Sequence, residues 1–208
     1  MLAASSAGCG KFVPADSMKL RSKRTVALGT FDVTTPKLIV ADPGYDLDTA
    51  KTSGLGAVLE NCKPGTWQAQ VVVKEFNEPG FSLASELRVW NTNITDAALL
   101  KWEKQKGGVG VDSGQAGVYD AGHFHDPRLV PTNMNWTVGR PGPADPQDLW
   151  YSFCCEVSMG KLEGGVIPFG VVTNSGMGDG GYEYFISRDP SGAIVGVWIV
   201  FVDDSGRG

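Results

Sequence analysis

The chain is short of the residues that most often carry chemistry. It has two histidines, His123 and His125, and four cysteines among 208 residues. Two imidazoles exclude a three-histidine metal centre within one chain. The cysteines, Cys9, Cys62, Cys154 and Cys155, form no C-x-x-C pair and no zinc-ligand spacing. Cys154 and Cys155 are adjacent on a stretch that reads as a strand, so their side chains point to opposite faces and cannot easily bridge. No apolar run approaches the roughly 20 residues of a membrane-spanning helix. Residues 1–10 lack the apolar stretch of a secretion signal, so the expectation is an intracellular, cytoplasmic protein with reduced thiols. An excess of positive charge is also missing. With 18 Lys and Arg against 23 Asp and Glu, the net charge of −5 argues against general binding of a nucleic-acid backbone.

Positive charge is concentrated at one end. Residues 1–24 hold Lys11, Lys19, Arg21, Lys23 and Arg24 against Asp16, a balance of +4 that leaves −9 on the rest. This segment reads as a flexible, solvated basic arm able to touch an acidic partner or a membrane surface, with residues 25–208 as one β-rich domain.

Glycine, by contrast, is plentiful at 28 residues, and 12 prolines join it between short β-rich runs, the pattern of an all-β protein with many turns. Residues 66–76 alternate cleanly, with Trp67, Ala69, Val71 and Val73 on one face. Residues 24–34 and 37–41 flank Thr35-Pro36. Residues 149–158, 165–173, 182–188 and 193–202 read as four further strands, the last pair joined by a turn at Asp189-Pro190-Ser191-Gly192. One helix is expected over residues 93–106, with Thr95 as N-cap, Ala98, Leu99 and Trp102 at helical spacing, and Gly107-Gly108 as the stop. Residues 125–148 hold five prolines without periodicity and read as a long loop. The expected fold is all-β, mainly antiparallel, a two-sheet sandwich with one helix beside it.

Two glycine-flanked acidic turns stand out. One is Asp112-Ser113-Gly114, followed by Tyr119-Asp120; the other is Gly178-Asp179-Gly180. Each places a carboxylate where glycine allows a sharp bend and a close approach. If the turns meet, Asp112 and Asp179 offer oxygen ligands to a hard cation such as Ca²⁺; otherwise each caps its own turn. His123 and His125 share a face if their segment is a strand, which would suit one transition metal, but a solvated loop pair is the simpler reading. Neither Ser113 nor Ser175 lies in a G-x-S-x-G elbow, so nucleophilic catalysis has no support. The apolar pair before Asp-Ser-Gly is similar to an aspartic-protease loop, yet the second Asp-Ser-Gly, at Asp204, has no strand after it. Gly8-Cys9-Gly10-Lys11 falls short of a phosphate loop. Among the tryptophans, Trp67 and Trp198 read as core, and Trp136 and Trp150 as candidates for an exposed binding surface.

The sequence of Asp42-Pro43-Gly44, VDSG with Tyr119-Asp120, and SG-x-GDG-x-Y resembles the domain-of-unknown-function family 4241 over roughly residues 25–204. Residues 75–105, with Glu86-Leu87-Arg88-Val89, match its pattern less closely. The resemblance brings no activity. It marks Asp42, Asp112, Ser113, Gly114, Asp120, Gly178, Asp179 and Gly180 as positions of a shared polar site. The leading expectation is a non-enzymatic binding or interaction module for a cation or small polar ligand. A carboxylate- or metal-dependent hydrolase is the alternative. A further alternative is a structural subunit docking through the basic arm or the 125–148 loop.

Overall fold

The computed structural model describes residues 19–77, 82–138 and 146–203. Cys9, Lys11, Asp16 and the Asp204 tripeptide lie outside them, as does most of the basic arm.

Among the described residues, twelve strands form two antiparallel sheets, as the alternating runs predict. The larger contains β1 (Leu20–Val33), β4 (Gly65–Phe76), β5 (Ser82–Asn91), β12 (Ile194–Val200), β11 (Gly180–Arg188) and β6 (Glu103–Lys104) in that order, with β7 (Val109–Val111) also on β11. The smaller runs β3 (Ala57–Glu60), β2 (Lys37–Ala41), β8 (Gln115–Asp120), β10 (Gly170–Asn174) and β9 (Gly164–Ile167). Between them lies the main core. Trp67, Val71, Val73, Leu87, Val89, Val197 and Ile199 of the larger sheet pack on Leu38, Val40, Val118 and Val171 of the smaller. The period-two face of β4 is therefore the buried face.

A third layer covers the far side of the smaller sheet. There α2 (Pro146–Ser158) and the short α1 (Leu47–Thr52) lie against Ile39, Ala41, Tyr119 and Val172, with Ala50, Trp150, Phe153 and Cys154 buried. Residues 149–158 are thus a helix, not the strand expected. Leu149, Trp150, Phe153, Cys154 and Val157 follow the i, i+1, i+4, i+5, i+8 spacing of a helical face, and Pro146 opens the first turn, where its missing N–H costs nothing. Cys154 and Cys155 consequently sit about 100° apart on a helix; the first is buried and the second half-buried.

The helix expected over residues 93–106 does not form. Asp96 caps only a single 3-10 turn, Ala97–Leu99, and Leu100 is already extended. Beyond it, Glu103–Lys104 pairs with Phe185–Ile186 at the free edge of β11. That pairing, together with Trp102 packing edge-on against Trp198 at 5.7 Å, overrides a weak helical preference. The run at 165–173 is likewise two strands, folded back on each other at Pro168-Phe169.

The basic arm is also shorter than expected. Strand β1 begins at Leu20, and Lys23 pairs with Glu86 at 2.8 Å. Arg21, Lys23 and Arg24 line an exposed sheet edge, where charge discourages edge-to-edge pairing.

Candidate functional site

The chain changes sheets twice at one end of the sandwich. After β7 on the larger sheet, Asp112-Ser113-Gly114 turns it into β8 on the smaller one. After β10, residues 175–179 carry it back to β11. Gly180 pairs with Val111, and Ser175 N–H donates to the Gly114 carbonyl at 2.9 Å, so the two acidic turns are neighbours.

Asp42 organises this corner from the end of β2. It is fully buried and accepts four hydrogen bonds. Gly44 N–H (2.7 Å) and Ser113 Oγ (2.6 Å) donate to Oδ1, while the N–H groups of Asp112 and Ser113 donate to Oδ2, both at 2.8 Å. A buried carboxylate saturated in this way fixes the turn and has little capacity left to act as a base.

Asp112 itself is exposed, and Tyr45 Oη donates to its Oδ2 at 2.5 Å. Burial, this hydrogen bond, and the charges of Asp112, Asp42 and Asp179 push the Tyr45 phenol far above its ordinary range, so it stays protonated as a donor. Asp179 is exposed opposite, at the tip of a braced loop. Ser175 Oγ (2.7 Å) and Tyr182 Oη (2.6 Å) both donate to the Gly178 carbonyl. Gly176 has φ +66°, and a Cβ there would come within 2.4 Å of the Ala84 carbonyl oxygen. Gly178 has φ +94° but open space around it.

Of the residues singled out in sequence, Asp42, Asp112, Ser113, Gly114, Gly178, Asp179 and Gly180 come together here. Asp120 does not join them. It ends β8, whereas the corner lies at the strand's start, roughly 16 Å away at ~3.3 Å per residue. There it clamps residues 34–35, accepting from Thr34 N–H, Thr34 Oγ1 (2.8 Å), Thr35 N–H (2.9 Å), Thr35 Oγ1 (2.6 Å) and Gly122 N–H (2.8 Å). Burial pushes its carboxyl up, but the bonds from Thr35, Gly122 and Thr34 outweigh it and hold the group below its ordinary value.

The histidines diverge as well, because residues 121–125 form turns rather than a strand. His123 stacks on Phe169 at 3.7 Å and reaches Thr34 Oγ1 at 3.1 Å. His125, in the left-handed region at φ 60°, places Nε2 2.9 Å from the Pro43 carbonyl and lies against Trp150. Burial lowers its pKa, so the neutral ring donates to that carbonyl. Ser113 accordingly has no imidazole partner. Among the described residues, no group of three or more His, Cys, Asp or Glu is arranged to hold a metal ion.

The tryptophan assignments are partly reversed. Trp150 is buried on α2, and Trp136 packs half-buried against the same cluster. Trp198, expected in the core, lies on the outer face of the larger sheet. There Phe185 stacks on it at 4.8 Å and the Arg88 guanidinium sits 4.6 Å from its ring centre. Trp67 is core, as expected. Tyr45 had no sequence signal, since a lone tyrosine in a loop carries no spacing.

No family model, curated protein or solved structure matches the chain. No helix among the described residues is long and apolar enough to cross a membrane.

Proposed function

We propose that the chain is a non-enzymatic binding module whose ligand site is the acidic corner built by Asp112-Ser113-Gly114 and Gly178-Asp179-Gly180. The contact between the two sheet-crossing turns carries this reading, because it sets two exposed carboxylates on adjoining turns, one of them holding the Tyr45 phenol, on a rigid frame. Such a frame suits a ligand that brings positive charge and several N–H donors, an ammonium or guanidinium group above all. A cation such as Ca²⁺ would need more oxygens than Asp112 and Asp179 supply, since the Asp42 oxygens are already taken. Hydrolysis is less well supported, because Ser113 Oγ donates straight to Asp42 and the nearby His125 Nε2 is engaged by a carbonyl.

Titration with N-acetyl-arginine amide, followed by backbone amide NMR, tests the reading. Shifts confined to residues 110–114 and 176–181, weakened at least tenfold by Asp179→Asn, are the expected result. Amide positions that stay put at tens of millimolar arginine amide would overturn it, and a response to Ca²⁺ alone would restore the metal reading.

A further inference from the structure

We infer that the acidic corner has a partner on a second copy of this chain, and that copies dock end to end. The inference rests on the binding reading above and names its occupant.

At the far end of β11 from the corner lies an open cleft of about 470 Å³, between the segment 93–101 and the β11–β12 hairpin. Ile94, Leu99, Leu100 and Val195 supply its apolar lining, and Lys101 and Arg188 its positive charge. Asp189 also borders it, but Lys63 at 3.1 Å, Ser191 and the Ala193 N–H already occupy that carboxylate. Leu99, on the lining of this cleft, is 74 % exposed.

The corner carries the complementary shape and charge. Met177, 44 % exposed, stands at the tip of the 175–179 loop, with Asp179 two residues on and Asp112 in the adjoining turn. The loop is held by the two hydrogen bonds to the Gly178 carbonyl, so presenting the methionine costs little ordering. A flexible thioether fills an irregular apolar cleft well, and Asp179 and Asp112 would then face Lys101 and Arg188. Knob and cleft occupy opposite ends of the same nine-residue strand, roughly 26 Å apart at ~3.3 Å per residue. Each copy can therefore give a knob at one end and take one at the other. Such a contact is heterologous and extends into a chain or closes into a ring.

Light-scattering mass against concentration tests this, using the full chain and two surface variants whose folding is checked by circular dichroism. Met177→Asp loses the knob and Leu99→Asp loses the cleft. The wild type should gain mass with concentration beyond a dimer, and less so at high salt. Each variant alone should stay monomeric. An equimolar mixture of the two should form a heterodimer and stop there, since one live knob and one live cleft remain. A monomeric wild type at about 1 mM, variants that associate like the wild type, or a mixture that stays monomeric would each overturn the docking. If the wild type stays monomeric while arginine amide still shifts the corner, docking fails and the binding reading stands. If both are silent, both fail.

Discussion

Asp42 and Asp179 stand close together, yet they do opposite work. Asp42 is buried beneath four donors. Asp42→Asn turns an amide N–H₂ toward some of them, and we expect it to cost about 2–4 kcal/mol. The check is a lower urea midpoint at unchanged m-value; a midpoint like the parent's would show the clamp to be dispensable. Asp179→Asn, on an exposed tip, should change stability by less than about 0.5 kcal/mol while weakening arginine-amide binding. The flanking glycines separate in the same manner. Gly178→Ala meets only the left-handed backbone cost of about 1–2 kcal/mol. Gly176→Ala adds a collision with the Ala84 carbonyl and should be clearly worse in the same melts. The turns themselves were readable in sequence, because aspartate beside glycine is turn chemistry. That Asp120 faces the other way was not, because strand register and length decide it.

Elements were legible where a single local rule applied. The turn at Asp189 follows its residues closely, with Gly192 at φ 86° and the Asp189 carboxylate accepting from Ser191 and Ala193. Hydrogen bonds from Ser191 and Lys63 lower the Asp189 pKa from 3.8 to about 2. A depressed folded value means this stabilisation is fully present above pH ~4 and is lost as pH falls toward 2. Asp189→Asn should therefore flatten the acid limb of a stability–pH curve between those limits; an unchanged slope would assign the limb elsewhere. Residues 149–158 misled because an apolar run of that length fits either a strand or a buried helix, and the helical spacing of Trp150, Phe153, Cys154 and Val157 is the better guide. Residues 93–106 misled for the reverse reason: the helical spacing is present, but an edge of β11 about 80 residues further along the chain takes Glu103–Lys104 instead. Long-range pairing of that kind leaves no trace in local pattern.

At the scale of the molecule, the two packed sheets follow from the alternating strands, whereas the helical layer over the smaller sheet and the start of the first strand do not. Leu20 to Arg24 pair with Phe76 to Val73, so the segment that reads as a loose arm is partly sheet. Truncation through residue 24 should lower the melting temperature by several degrees and speed amide exchange over residues 72–76; an unaltered melt would show that stretch of ladder to be idle. The corner has a different dependence on the whole. Asp42 meets Asp112 across 70 residues of sequence, and neither turn can reach the other until both sheets are docked. Contacts of such separation are rewarded only after the entropy of closing the intervening chain has been met. The acidic corner proposed as a ligand site is therefore complete only once the two sheets have docked, and a half-made molecule, still bound to the ribosome or newly diluted from denaturant, would not yet present it.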